Sequence, residues 1–174
     1  DRRRIDIPPL ALDAKQAEQL CELIQNSPAG KEEFLLDLLC KRISPGVDPA
    51  AKVKAEFLDK IVNGNVKTKL ISPSKAIEIL GTMVGGYNVT PLVKALEINE
   101  LSEYAAKALS NITLVYDSFD QVLELSKSNI SAQKVLESWA KADWFTSKPI
   151  LEEIIKVKVY KVEGEINTDD FSPA

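Results

Sequence analysis

The residue types best suited to chemistry gather in "VEGEINTDDFSPA", residues 162–174. A threonine, two adjacent carboxylates, a serine and a proline follow a glycine-marked turn. Thr168, Asp169, Asp170 and Ser172 offer hydroxyls and carboxylates that can hydrogen-bond a substrate or move a proton. Asp169 and Asp170 are neighbours, so in an extended segment they point in opposite directions and at most one faces a given site. From spacing alone the same residues also read as an acidic turn closed by Ser-Pro.

Other chemistry is narrowed by absence. The 174 residues include no histidine, which removes every His-based triad, His metal site and His general base from this chain. Cys21 and Cys40 fall in apolar helical patterns with no Cys-x-x-Cys pair. They read as small buried hydrophobes in a reducing cytoplasm, and no metal site is expected. "GTMVGGYNVTP", residues 81–91, is Gly-rich, but a helical pattern precedes it and no Gly-Lys-Ser/Thr follows. It reads as a close approach of two helices with Tyr87 over the turn, or as a recognition surface, more than as a phosphate cradle. Trp139 and Trp144 stand five residues apart with Phe145 adjacent. On one helix that spacing turns by about 500°, so the indoles miss a shared face. Core packing at the end of the helices is expected, with an anchor at a domain or subunit interface as the alternative.

Helices are needed to position these groups, and the chain is patterned for them. Apolar residues make up 45% and charged residues 28%, as in ordinary globular proteins, and the length suffices for a real core. The net charge of −4 exerts no pull toward phosphate backbones. The basic start "DRRRIDIPPL" lacks the apolar stretch of a secretory signal and reads as a solvated tail. No segment approaches the ~20 apolar residues of a membrane helix, so no membrane partner is expected.

Asp13 can cap a helix to about Gln25, with Ala17, Leu20, Cys21 and Ile24 on one face. "KEEFLLDLLCKR" carries acids first and bases last, as a helix dipole prefers, with Phe34, Leu35, Leu38 and Leu39 as its buried stripe. Asp48-Pro49, Ser72-Pro73 and Thr90-Pro91 each read as an N-cap followed by proline at the first helical position. Asn63-Gly64 supplies a left-handed stop. One helix is expected from Glu100 to Tyr116 with Tyr104 on its apolar side, another from Asp117 to Leu125, and a last from Ser131 to Ala142. This makes roughly eight helices joined by short turns, an all-α stack of antiparallel hairpins. From residue 154, "IIKVKVYKV" alternates apolar and Lys residues and predicts a β segment without a partner strand in this chain.

Long, ordered blocks carry a family resemblance. "AGKEEFLLDLLCKRISPGVDPAAKVKAEFL", "SPSKAIEILGTMVGGYNVTPLVKAL", "AAKALSNITLVYDSF", "ESWAKADWF" and "VYKVEGEINTDDFSPA" together resemble the N-terminal part of the bacterial aconitase B family. The resemblance implies a HEAT-like helical domain over residues 1–153 and the start of a truncated swivel domain over 154–174. It implies an aconitate hydratase as the parent enzyme, converting citrate to isocitrate through cis-aconitate with a [4Fe–4S] cluster held elsewhere. Within that family's swivel motif, Thr168, Asp169, Ser172 and Pro173 match, whereas Asp170 stands where other branches carry histidine. Asp169 is thereby the candidate site-facing carboxylate, with Thr168 and Ser172 beside substrate. Cys21 and Cys40 match no cluster ligand. Implied partners are the parent's own catalytic domains, a second subunit in a homodimer, a tricarboxylic acid and, for the cluster-free parent, mRNA. A stand-alone helical-repeat module that binds a protein on its concave face fits the same helices.

Overall fold

The structure, a computed structural model, describes residues 4, 9–116, 118–159 and 164. Nine helices form among them: α1 Ala14–Gln25, α2 Glu32–Lys41, α3 Pro49–Val62, α4 Pro73–Leu80, α5 Val89–Ala95, α6 Ser102–Leu109, α7 Ser118–Leu125, α8 Ile130–Lys141 and α9 Asp143–Thr146. The described part is all-α.

Local capping explains where α1, α3 and α4 begin. Asp13 accepts from the Gln16 amide while Gln16 reaches back to the Asp13 amide, closing a capping box on α1. Asp48 accepts from the Ala50 amide and Ser72 from the Lys75 amide, each followed by proline at the first position. Gly64 takes a φ of +78° and ends α3 as a left-handed stop. α5 departs from the expected device. It begins at Val89, so Thr90 and Pro91 lie inside its first turn rather than at its cap. The position before it belongs to Asn88, whose buried Nδ2 donates to the carbonyls of Leu80 and Met83, 2.9 Å each. Asn88 therefore closes the end of α4 rather than capping α5.

α6 stops at Leu109 instead of running to Tyr116. Ser110 Oγ and Asn111 Nδ2 donate to the carbonyls four residues back, at 2.8 and 2.9 Å. Such side-chain bonding competes with helix continuation. Tyr116 then adopts a φ of +43°, and α7 follows. Asp117, its expected cap, lies outside the described residues.

α3 is the hub. It packs against α1, α4 and α5, while α1 also holds α2. α6 bridges α4, α5 and α8, α7 lies on α5 and α8, and α9 touches α8. One continuous core runs from Ala17 on α1 to Val135 on α8. Among the expected core residues, Phe34 on α2 is 59% exposed and Tyr104 on α6 is 46% exposed. Leu35 and Leu39 carry the packing of α2.

The short C-terminal β segment is corrected by the structure. Residues 151–159 form no strand, although their alternating pattern is clear. A strand exists through ladder hydrogen bonds, and the described residues present no edge to pair with. Its side chains are exposed accordingly.

Candidate functional site

Thr168, Asp169, Asp170 and Ser172 lie outside the described residues. The described chain brings together three other features, none of them a catalytic cluster.

The first is the Gly-rich loop between α4 and α5. A Cβ at Gly85 would collide with the Gly46 carbonyl, and one at Gly81 would lie 2.9 Å from the Ala108 Cβ. The Val84 amide donates to the Pro45 carbonyl at 2.9 Å, and the Tyr87 hydroxyl to the Val47 carbonyl at 3.3 Å. The glycines thus let backbones meet, as close approach requires, and the Val84 amide is taken up by that contact. Val47, Val84 and Tyr87 stay exposed around this contact.

The second is an open groove of about 470 Å³ between α4 and α6, floored by Gly81 and Ala108 and rimmed by Glu78, Glu103, Tyr104 and Lys107. Both acids are already paired. Lys75 Nζ lies 2.8 Å from Glu78 and Lys134 Nζ lies 2.6 Å from Glu103. The hydrogen bond from Lys134 holds the Glu103 carboxyl below its ordinary range. Paired, solvated carboxylates are poor general bases, so the groove offers no acid–base catalyst.

The third lies around α8 and α9. Trp139 is partly buried, donates from Nε1 to the Leu109 carbonyl at 2.9 Å and stacks on Phe119 with centroids 6.0 Å apart. This is the expected core packing. Trp144 and Phe145 differ. Ala142 ends α8 with a φ of +54°, and the turn sends both rings out on α9.

The donor set does not fit an iron–sulfur cluster. Cys21 is free and buried on α1, whereas Cys40 is free and exposed at the end of α2, against the expectation that both are buried. Cys40 escapes because α2 turns its Leu35–Leu39 face to the core and the next position points outward. Burial pushes the Cys21 thiol up to about 12, despite the opposing pull of Lys60. It therefore stays protonated, whereas a cluster binds thiolates. No group of three or more His, Cys, Asp or Glu side chains stands ready for a metal among the described residues. None of the described helices is long and apolar enough to cross a membrane.

Sequence reasoning missed Lys54. It is 1% exposed in the middle of α3, and burial lowers its amine from the ordinary value, with the Cys40 thiol opposing that shift. A helical projection holds the signal, because position 54 falls one turn from Ala50 and Leu58, both fully buried.

Comparison with known proteins then assigns the family. The model of the aconitate B N-terminal domain matches residues 1–145. Aconitate hydratase B of Escherichia coli is 53% identical over 175 aligned residues, that of Synechocystis sp. 49% over 176, and that of Helicobacter pylori 47% over 176. Each match covers 100% of this chain and 20% of the relative, so the chain spans about a fifth of the length of these proteins. The chain, all-helical where described and similar along its whole length to aconitate hydratase B, belongs to the aconitate B N-terminal domain family.

Proposed function

We propose that this chain serves as the N-terminal, non-catalytic part of an aconitate hydratase that interconverts citrate and isocitrate through cis-aconitate. The carrying observation is the 53% identity to an aconitate hydratase B along the entire chain. The helical part, residues 1–153, acts as a HEAT-like stack by binding: it holds subunits together, docks onto the catalytic domains and shapes substrate access. Pairwise packing of consecutive helices around α3 supports a stack of this kind. Residues 154–174 open a swivel domain, in which Asp169 faces the tricarboxylic acid with Thr168 and Ser172 beside it. The [4Fe–4S] cluster of such an enzyme is held by other parts of the longer polypeptide. Binding of mRNA by a cluster-free form would draw little from this chain, whose net charge is −4.

Turnover assays separate the roles. A polypeptide of the relatives' length that contains this chain is expected to hydrate cis-aconitate, and the 174-residue chain alone to turn over nothing. In the longer protein, Asp169→Asn is expected to lower kcat by about 100-fold, the scale of a lost acid–base or positioning carboxylate. An unchanged kcat would return Asp169 to the status of an acidic turn. Light scattering tests the subunit contact: a monomer throughout the micromolar range removes it.

A further inference from the structure

A cation in the core of α3 stands beside an exposed thiol on α2. We propose that Cys40 is a modification site, oxidised to a sulfenic acid by small uncharged hydroperoxides, with Lys54 as the cation that assists its sulfur. The site lies on α2, α3 and α4 and draws nothing from the reading of the parent enzyme.

Lys54 shows the need for an anion. It is 1% exposed and lies one helical turn from the fully buried Ala50 and Leu58. Among the described residues no acid pairs with its amine and no hydrogen bond takes it up, and the Cys40 thiol is the one titratable group that acts on it. A buried cation without a counter-ion costs stability. A thiolate or sulfenate at Cys40 puts negative charge beside it.

The two thiols of the chain differ in the way such a site requires. Cys21 is buried on α1 and pushed up to about 12, so it stays protonated at neutral pH. Cys40 is exposed, and its thiol acts on the amines of Lys41, Lys54 and Lys75, which come from three helices. Cations around an accessible thiol favour the thiolate, the form that attacks an oxidant. Cys40 sits in the last turn of α2, where the helix dipole disfavours an anion, so the favourable charge comes from the amines.

The rim selects the oxidant. Asp37 pairs with Lys41 at 2.5 Å and Glu78 with Lys75 at 2.8 Å, so both exposed amines are already balanced. Lys54 is left as the unbalanced positive charge. The two carboxylates repel an anionic disulfide, whereas a small uncharged peroxide passes them. The Cys40 thiolate attacks one peroxide oxygen. An S–O bond forms, the O–O bond breaks, and the second oxygen leaves with a proton as water or an alcohol. Sulfur gives up two electrons and the peroxide takes them. Cys21 is the chain's other cysteine and, being protonated, does not close a disulfide on the product. The sulfenic acid therefore awaits a thiol from another molecule.

Peptide mass spectrometry tests the site in the longer polypeptide that contains this chain. Hydrogen peroxide is the oxidant, and a cyclic 1,3-diketone traps the sulfenic acid. Cleavage after lysine separates residues 16–31 from residues 32–41, each with one cysteine. The adduct is expected on 32–41 on the order of 100-fold faster than on 16–31. Lys54→Met is expected to slow it by about fivefold. Should that variant fail to fold, Lys75→Gln at an exposed position is expected to slow it by about twofold. Equal rates on the two peptides, or no adduct on 32–41, overturn the site. An adduct on 32–41 whose rate ignores the lysine substitution overturns the role of the amines. The readout is a peptide mass, so it stands apart from whether the polypeptide hydrates cis-aconitate.

Discussion

α3 and the stretch from α9 to residue 159 are both rich in apolar side chains, and they end in opposite states. α3 buries eight residues, among them Phe57, Leu58, Ile61 and even Lys54. α9 buries none, and the aliphatic residues after it are open to solvent. Hydrophobicity does not separate the two regions; neighbours do. α3 has α1, α4 and α5 against it, whereas α9 meets only α8 closely. Burial is a property of a pair of surfaces, and an apolar pattern states only one half of it.

The contrast can be broken at its strong end first. Leu58 is fully buried on α3, so Leu58→Ala is expected to cost about 3–4 kcal/mol through lost transfer energy and a cavity. For a chain of this size that lowers the melting temperature by roughly 10 °C, read by thermal denaturation followed by circular dichroism. Survival within a degree would mean that the hub is not α3.

Lys54 comes next, with a gain rather than a loss. Its stem packs in the core while its amine is held below its ordinary value of 10.5 by burial. Lys54→Met is expected to stabilise the fold by about 1–2 kcal/mol at neutral pH, because a desolvated cation is removed. The folded protein holds fewer protons than the unfolded chain between the depressed value and 10.5. Stability of the parent chain therefore rises with pH across that window, and the advantage of the methionine variant shrinks there. Urea midpoints at neutral and alkaline pH measure both. An advantage that is flat with pH would mean that the Lys54 amine keeps its ordinary value in the folded state.

The smallest effect lies at the other region. Ile150→Ser, at a position 97% exposed, is expected to change the stability of this chain by less than about 0.5 kcal/mol. A cost beyond 1 kcal/mol in the same urea titration would mean that the run is already covered within this chain, and the two regions would cease to differ.

The legible parts of the fold were those set by neighbours in sequence. Asp13, Asp48 and Ser72 cap helices through contacts two or three residues away, so residue type and spacing reveal them. Thr90-Pro91 carries the same local signature and does not cap, because α5 begins at Val89 and holds both residues inside its first turn. The break after Leu109 depends on two side chains choosing backbone carbonyls, an outcome that a helical periodicity does not encode. Phe34 has the hydrophobicity of a core residue, yet α2 turns Leu35 and Leu39 inward instead. Of the site, the absence of histidine and the resemblance of the tail were readable, but Thr168, Asp169 and Ser172 fall outside the described residues. The groove between α4 and α6 was not legible, since it arises where helices distant in sequence meet over Gly81 and Ala108.

The Gly46–Gly85 contact has a mechanical meaning. The loop after α2 and the loop after α4 touch backbone to backbone there, joined by the amide of Val84. No side chain stands between them, so the gap between the two loops is gauged by main chain alone. A methyl group at Gly85 would act as a shim: it would pry the two loops apart while every core side chain kept its identity. The spacing of these two loops is in this sense adjustable from a single atom.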